Sequence, residues 1–247
     1  MKPVPEDPVL RGTTAEQPRA RASTHALPDY LARTYTWAYL NPRNLRLLDR
    51  MPVVNAILWG NANRLMQAAV AEFEPGQRVL QAACVYGDFS MRLARRLGDE
   101  GRLEVVDVAP VQVENLRRKA AGECRLEVRV GDLATEAALA GESPFDGVCC
   151  FFLLHEVPAP ERARIVHNLL CALRPGGRIV FVDYHQPASW NPLRPVMAAV
   201  FRWLEPYAPS LLRADITTLS PLGGGLVWRR RSLFGGLYQI VVGERPG

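Results

Sequence analysis

The sequence lacks a long hydrophobic run, a C-x-x-C cysteine pair and the apolar segment of a secretory signal. Its longest nearly apolar stretch, GVCCFFLL at 147–154, is far shorter than the ~20 residues that a membrane-spanning helix needs. The five cysteines are scattered in apolar surroundings. They predict buried, reduced thiols in a protein of the cytoplasm.

The sequence also lacks a strong excess of charge. Charged residues make up 22% of the chain, and the formal net charge is +5. This mild basic excess is compatible with binding to an anionic membrane surface, but an ordinary solvated surface explains it equally simply. Aromatic and basic residues are not interleaved and no RNA-binding motif occurs, so we expect no nucleic-acid partner. Nothing indicates an obligate protein partner.

The first 75 residues divide into two parts. Residues 1–28 contain five prolines, mixed charges and no periodicity, which predicts a disordered arm. Residues 29–75 have apolar residues at helical spacing, which predicts two or three short helices interrupted at Pro42 and Pro52. We interpret 29–75 as a helical lid. Its tyrosines and tryptophans are Tyr30, Tyr35, Trp37, Tyr39 and Trp59.

Residues 76–247 alternate between apolar strands and helices of ten or more residues, which is typical of a parallel sheet covered on both faces. The predicted fold class is therefore α/β: a doubly wound, mostly parallel, seven-stranded Rossmann-like sheet. The predicted strands are 78–84, 103–108, 125–132, 147–154, 178–184, 226–232 and 237–244. The predicted helices are 88–97, 111–121 and 160–173, and a further apolar helix lies at 193–205.

The loop after the first strand, in VLQAACVYGDFS at 79–90, is the expected ligand site, because ligands of such sheets bind beyond the carboxyl ends of the strands. An enzyme that binds S-adenosylmethionine usually has an acidic residue and then three glycines at alternate positions here. This sequence has Gln81, Ala83, Val85 and Gly87. Ala83 still allows close approach of a ligand, and Gly87 keeps the turn into the helix. The loop has either decayed or been rebuilt for other chemistry.

Two acidic residues at later strand ends favour adenosine binding. Asp107 ends the second strand, where a carboxylate accepts both ribose hydroxyls, and Asp132 ends the third, near the position of an adenine amino group. Each acid alone is as readily explained as a helix cap or a solvated carboxylate. The predicted cofactor-binding residues are Gln81, Ala83, Val85, Gly87, Asp107, Val108, Asp132, Leu133 and Phe151.

Polar residues beside the same crevice are the candidates for catalysis. His155 follows the fourth strand and is a general base, a metal ligand or a structural histidine. With Tyr86 and Asp88, which flank Gly87, it completes the predicted catalytic set. A carboxylate beside the carboxylate of the cofactor is unfavourable unless a cation intervenes, so the predicted metal ligands are Asp88, His155 and Glu156. A helix-capping role is the alternative for Asp88.

The order of these segments resembles class I S-adenosylmethionine-dependent methyltransferases from about residue 76 to the end. The matching segments are VLQAACVYG, VVDVAP, VGDL, FDGVCCFFLLHEVP and LRPGGRIVFVDY. The stretch TYTWAYL and the ending FGGLYQIVVG resemble the quinone-pathway members of that superfamily. The whole chain, including its unusual QAACVYGD, is similar to the rhodoquinone-biosynthesis enzymes, which aminate ubiquinone.

This resemblance implies an unusual reaction. A ring methoxy group of ubiquinone is replaced by an amino group, with S-adenosylmethionine as the amino donor and Mn²⁺ assisting. The loop is then rebuilt rather than decayed, because Asp107 and Asp132 are still present. Val85 adds bulk that displaces the amino-acid tail of the cofactor. In this hypothesis His155 takes a proton from the attacking amine, and Tyr86 donates a hydrogen bond to the carbonyl or the leaving oxygen.

Ubiquinone lies in the membrane, so the resemblance also implies peripheral association with the inner (cytoplasmic) membrane. We expect the 186–215 segment to be an insertion that faces substrate and membrane. Its helix at 193–205 combines apolar residues with arginines, which suits the bilayer interface. A lid packed on the active site is the alternative interpretation of this helix.

Two other functions stay open. The first is a conventional S-adenosylmethionine-dependent methyltransferase acting on a quinone or another lipophilic acceptor, and the mass of the product distinguishes it from an aminating enzyme. The second is a non-catalytic binding protein on a degenerate methyltransferase fold. The polar residues of the crevice, which also include Asp183 and His185, argue against the second.

Overall fold

The computed structural model describes residues 27–35 and 42–247. A seven-stranded sheet has the order β3-β2-β1-β4-β5-β7-β6. Strands β1 to β5 are parallel, and β7 runs antiparallel to β5 and β6. The doubly wound, mostly parallel sheet is confirmed. Its strands are β1 Arg78–Ala82, β2 Arg102–Asp107, β3 Leu126–Val130, β4 Phe145–Phe151, β5 Leu173–Tyr184, β6 Val227–Leu233 and β7 Tyr238–Glu244.

Helices cover both faces of the sheet and divide the apolar core into two layers. Each helix buries one face; in the helix after β1, for example, Phe89, Leu93, Ala94 and Leu97 point into the core. The described helices are α1 Asp29–Thr34, α2 Pro42–Leu48, α3 Met51–Ile57, α4 Ala62–Val70, α5 Phe89–Leu97, α6 Pro110–Lys119, α7 Ala159–Cys171, α8 Arg194–Trp203 and α9 Ala208–Leu212.

Two proline boundaries agree with the sequence prediction, and a third differs from it. Pro42 and Pro52 lie at the beginnings of α2 and α3, because a helix tolerates proline in its first turn, where the missing N–H has no partner within the helix. The RPGG stretch at 174–177 does not precede β5 but belongs to it. Leu173 already pairs with Phe145, and an irregularity in the register at 145–147 accommodates the extra residues.

The cysteines correct one expectation. All five are free, and Cys149 and Cys150 are buried, but Cys124 and Cys171 are exposed. The short sequence segments around the cysteines did not distinguish the buried cysteines from the exposed ones.

Two sets of predicted features fall largely or wholly outside the described residues. They are the arm at 1–28, of which only Leu27 and Pro28 are described, and the aromatic residues Trp37 and Tyr39. Within the described ranges, no helix has the length and apolar character needed to cross a membrane.

Candidate functional site

A cavity of about 410 Å³ lies beyond the carboxyl ends of the parallel strands. It is centred on β1, where the strand order reverses between β2 and β4 and where ligands of doubly wound sheets bind. Residues that follow β1, β2, β3 and β4 all line it: Ala83, Val108, Asp132 and Phe152. The crevice predicted from the strand pattern is therefore a real cavity.

The loop after β1 adopts the backbone of a glycine-rich loop with few glycines. Ala83 has φ of 68° and Gly87 has φ of 81°. The left-handed conformation costs an L-residue such as Ala83 about 1 kcal/mol. The N–H of Ala83 donates to the carbonyl oxygen of Val106 at 2.9 Å, which ties the strained residue to β2. Val85 and Tyr86 line the cavity beside Ala83.

Gln81 lies beneath the loop and is fully buried. Its Nε2 donates to the carbonyl oxygen of Ala83 at 2.8 Å. Its Oε1 has no hydrogen-bond partner among the described residues. A buried acceptor without a donor is costly, so this position is the least satisfied part of the loop. Gln81 and Gly87 do not line the cavity, in contrast to the other predicted cofactor-binding residues.

Asp107, at the end of β2, fixes the start of the loop after β1. Its Oδ2 accepts from the N–H of Cys84 at 2.6 Å, and its Oδ1 accepts from the N–H of Ala109 at 2.8 Å. Burial raises the pKa of Asp107, while these two N–H groups act in the opposite direction. A carboxylate has about four acceptor sites, so each oxygen keeps capacity for a ligand hydroxyl.

The remaining predicted binding residues line the same cavity. Asp132 accepts from the N–H of Ala134 at 2.9 Å. Val108 and Leu133 add apolar surface next to the two acids, and Phe151 stacks on Phe89 with ring centroids 4.3 Å apart. The structure therefore brings together seven of the nine residues that the sequence assigned to the cofactor: Ala83, Val85, Asp107, Val108, Asp132, Leu133 and Phe151.

His155 is buried at another wall of the cavity and pairs with Asp183 at the end of β5. The His155 Nδ1 to Asp183 Oδ1 distance is 2.8 Å. Asp183 is itself fixed by two backbone donors, because the N–H of Leu154 donates to Oδ2 and that of Tyr184 donates to Oδ1. The carboxylate holds the ring orientation and leaves Nε2 directed towards two other acids.

Those two acids are Glu156, whose Oε1 is 3.7 Å from the His155 Nε2, and Glu205, whose Oε2 is 4.0 Å away. Burial lowers the pKa of His155, but the charges of Asp183, Glu205 and Glu156 outweigh it and raise the pKa to about 9. The imidazole is therefore protonated at neutral pH. This protonation state disagrees with the general-base role hypothesised for His155, since an imidazolium has no lone pair to accept a proton.

The two predicted residues beside Gly87 have separate surroundings. Tyr86 lines the cavity, and the Gln112 Nε2 is 3.3 Å from its hydroxyl. Burial raises the pKa of Tyr86 above its ordinary value. Asp88 precedes α5 but its side chain makes no capping hydrogen bond; it pairs with the Arg92 Nε at 2.8 Å instead.

The predicted metal ligands are not assembled. Asp88 does not line the cavity, whereas His155 and Glu156 do. In the part of the chain that the structure describes, no group of three or more His, Cys, Asp or Glu side chains is placed to hold a metal ion. The described residues thus do not fit Mn²⁺.

The rest of the cavity wall is apolar and comes from both ends of the chain. Phe152, Tyr184 and His155 form an aromatic corner, with ring-centroid distances of 4.8 to 5.9 Å. Helices α1 to α3, in the 29–75 segment, supply Tyr30, Leu31, Leu48, Val54, Ala56 and Ile57, and the 186–215 segment supplies Met197, Val200, Leu204 and Glu205. The domain boundaries drawn from the sequence stay a prediction, but both segments contribute wall residues.

Sequence comparison relates part of the chain to a known family. Residues 79–177 match the family described as "Methyltransferase domain". The matched range contains the loop after β1, Asp107, Asp132 and His155, so it covers one side of the cavity.

Curated proteins similar to this chain include enzymes named for quinone methylation. An uncharacterized methyltransferase of Synechocystis sp. is 28% identical over 213 residues, 83% of this chain and 93% of the relative. A demethylmenaquinone methyltransferase of Desulfitobacterium hafniense is 25% identical, with 85% and 90% covered. A ubiquinone/menaquinone biosynthesis C-methyltransferase of Teredinibacter turnerae is 27% identical over 141 residues, only 56% of each chain.

Solved structures share the fold of the methyltransferase domain. An O-methyltransferase family protein of Burkholderia thailandensis superposes with a TM-score of 0.63 at 16% identity, over 84% of this chain and 61% of that chain. The N-methyltransferase NodS of Bradyrhizobium japonicum, in complex with S-adenosyl-L-homocysteine, has a TM-score of 0.56 at 15% identity, over 84% and 94%. The protein therefore has the class I methyltransferase fold, and S-adenosylmethionine is the cofactor that the domain implies.

Several residues that line or support the cavity were not identified as site residues from the sequence. Glu205 lies outside every motif, and its Oε2 accepts from the hydroxyl of Tyr35 at 2.8 Å across 170 residues of sequence. Asp49 contacts the loop after β1 from the turn between α2 and α3. Asp183 stood out in the sequence only as one of the polar residues near the crevice, and its neighbour His185 faces Gly236 and not the cavity.

Proposed function

We propose that the protein is an S-adenosylmethionine-dependent methyltransferase that acts on a quinone or another lipophilic aromatic acceptor. The observation that carries the proposal is a cavity in which the adenosine-directed acids meet an apolar, aromatic wall ending at His155. The quinone-pathway relatives support this class of acceptor. The small residue at Ala83 and the carboxylates of Asp107 and Asp132 suit an adenosine-containing cofactor.

In the proposed reaction, the cofactor supplies an electrophilic methyl group. His155, held by Asp183, donates a hydrogen bond from Nε2 to an oxygen of the acceptor. Glu205 accepts the hydroxyl proton of a reduced, quinol-type acceptor, because burial raises the pKa of this carboxyl towards the pH at which it works best as a base. The deprotonated oxygen or an adjoining ring carbon then gains the methyl group as the carbon–sulfur bond breaks, and S-adenosylhomocysteine leaves. A methylated ring carbon then loses its own proton to solvent, which restores the quinol ring.

The experiment is mass spectrometry of both products. The purified protein is mixed with S-adenosylmethionine and a short-tail quinone, in oxidised and in reduced form, with and without Mn²⁺. A quinone that gains one methyl group, together with S-adenosylhomocysteine, is the expected result. No change of either compound in any mixture contradicts the proposal and favours a non-catalytic protein.

A second candidate is amino transfer to ubiquinone, which the changed loop favours. A nucleophilic amine must be uncharged, and the neutral amide of Gln81, in place of the usual carboxylate, removes a negative charge that would keep the amine protonated. Val85 adds bulk at a position where glycine is usual. The N–H of Gly87, at the start of α5, is taken by Asp49 and is not available to the carboxylate of the cofactor. Replacement of a methoxy group by an amino group in the same experiment is the outcome that selects this reaction.

The mouth of the cavity suits an acceptor that comes from a membrane, and we extend the proposal to peripheral association with the cytoplasmic membrane. Ile57, Trp59 and Leu204 line the cavity and are also exposed, at 48%, 38% and 46%. They therefore lie at the opening, with α3 on one rim and α8 on the other. Next to Leu204, Trp203 is 76% exposed, which is unusual for the largest apolar side chain.

Both rims combine these apolar side chains with positive charge. Helix α8 contains no acidic residue, and Arg194 and Arg202 are exposed on it. The guanidinium of Arg202 lies over the Trp203 ring, 5.4 Å from its centroid. On the other side, Arg50 directly precedes α3 and Arg46 lies in the last turn of α2, and both are exposed. Tryptophan and arginine together are typical of side chains that sit at the boundary of an anionic bilayer, and co-sedimentation with vesicles tests the idea.

A further inference from the structure

Asp49 connects the lid segment to the loop after β1. It follows α2, and its side chain is only 9% exposed. Its Oδ1 accepts from the N–H of Gly87 at 2.8 Å and from the Lys119 Nζ at 2.7 Å. Its Oδ2 accepts from the Asn115 Nδ2 at 2.9 Å. A buried carboxylate with three donors is a satisfied group, so the contact is a specific one.

Lys119 makes the contact two-sided. Its Nζ donates to the carbonyl oxygen of Gly87 as well as to Asp49. The N–H and the C=O of the same loop residue are therefore both held, one by a side chain of the lid segment and the other by a side chain of α6. Charge-assisted hydrogen bonds of this kind are about twice as strong as neutral ones.

Side chains of the lid segment also pack closely against Gly87. A Cβ added to Gly87 would lie 2.5 Å from the Met51 Sδ and within 3.6 Å of side-chain atoms of Met66 and Val54. The loop thus packs directly on α3 and α4, with no room for a side chain. Gly87 remains glycine where Ala83 and Val85 have replaced the usual glycines, because this position faces the lid segment rather than the cavity.

We propose that Asp49, together with Lys119, positions the loop after β1 for the cofactor and makes cofactor affinity depend on docking of the lid segment. The inference rests on the proposed use of S-adenosylmethionine. A loop with few glycines has little backbone freedom to adapt to a ligand. Its conformation is therefore determined by its contacts with the lid segment and α6. The same segment supplies Leu48, Val54 and Ile57 to the acceptor side of the cavity, which links the two halves of the site.

The test is titration of S-adenosylhomocysteine into the full-length protein by calorimetry, with steady-state kinetics alongside. Asp49→Asn keeps the size of the side chain but places an amide N–H donor opposite donors that now bind the carboxylate, from Gly87, Asn115 and Lys119. We expect about tenfold weaker binding, the size of one charge-assisted hydrogen bond, and a matching rise in KM for S-adenosylmethionine with kcat nearly unchanged. Lys119→Gln, which removes the other half of the contact, is expected to weaken binding in the same way.

Asp99→Asn is the matched control, since Asp99 pairs with Arg125 but is 92% exposed and lies outside the contacts that hold the loop. If Asp49→Asn and Lys119→Gln are folded and bind S-adenosylhomocysteine like the wild type, the positioning role is wrong. If Asp49→Asn does not fold, Lys119→Gln alone decides. A wild-type protein that binds no S-adenosylhomocysteine contradicts the proposed function instead, so the two failures are distinct.

Discussion

His155 is a histidine whose charge is determined by its neighbours. Three carboxyl groups, from Asp183, Glu156 and Glu205, lie within 4.0 Å of its ring nitrogens. Because the pKa is raised to about 9, the ring donates hydrogen bonds from both nitrogens over the physiological pH range. A cationic donor polarises an acceptor oxygen in either of the two candidate reactions, so His155 has the same role in both.

Replacing Asp183 by asparagine is expected to move the alkaline limb of the pH profile. Asp183 is the largest single contributor that raises the pKa of His155, so Asp183→Asn lowers that pKa by about one unit or more. Activity then begins to fall at a lower pH than in the wild type. The measurement is kcat/KM over a range of roughly pH 6 to roughly pH 10. An alkaline limb that does not move, in a folded and active variant, contradicts the cationic role.

At the scale of elements, α8 is the segment whose function is most directly testable. Trp203 is mostly exposed and points away from the core, which α8 meets through Met197 and Phe201. Trp203→Ala should therefore leave the fold intact and weaken binding to the membrane. Co-sedimentation with anionic vesicles is the measurement, and a drop in the bound fraction of severalfold is expected from the apolar area lost.

Trp228→Ala is not a suitable control, because that indole packs under Gly243 and donates to the Gly223 carbonyl. Val227→Ala is better, since Val227 is 68% exposed on the edge strand β6, away from the cavity wall. Equal sedimentation of the wild type and Trp203→Ala removes α8 from the proposed docking surface. Failure of the wild type to sediment with anionic vesicles contradicts membrane association as a whole.

Elements and site differ in how far the sequence predicts them. All seven strands were found. Buried strands such as β4 and β7 are nearly continuous apolar runs, whereas β6 is mostly exposed and contains three arginines. The acids at the ends of β2 and β3 followed from the fold. The long-range contacts that assemble the site could not be found in this way. Tyr35 and Glu205 are 170 residues apart, and Asp49 and Gly87 are 38 apart. Such pairs carry no local spacing, so only the folded chain shows them.

The predicted metal ligands also show what the sequence alone cannot predict. Asp88 was grouped with His155 and Glu156 because a carboxylate beside the carboxylate of the cofactor calls for a cation, and all three follow strand ends of the same sheet. A strand end does not fix the direction of a side chain, however, and Asp88 turns towards Arg92 on its own helix. An ion pair at spacing four is available locally, and it was the simpler interpretation of the charge.

At the scale of the whole molecule, the buried charges of the cavity affect stability. The pKa of His155 rises from 6.5 to about 9 on folding, so its contribution is fully present below pH 6.5 and is lost as the pH rises through about 9. His155→Gln should therefore lower the free energy of unfolding most at the acidic end of this window. The loss is a few kcal/mol at most, by the ~1.4 kcal/mol of each pKa unit.

Urea unfolding of both proteins at several pH values measures this difference. We expect the gap between the wild type and His155→Gln to narrow steadily as the pH rises from 6.5 towards 9. A gap that is constant over this window would show that the ring is neutral in the folded protein, and the hydrogen-bonding role of the cation would then have to be abandoned.

On the proposed membrane docking, the exposed mouth between α3 and α8 makes the concentration of the acceptor in the lipid, rather than in water, the one that determines the rate. An acceptor that enters through apolar rims resting on a bilayer is taken from the plane of the membrane and not from water. Its rate of capture then follows the mole fraction of quinone among the lipids. Adding inert lipid at constant total quinone would slow turnover by surface dilution, although the amount of every reactant in the tube stays the same.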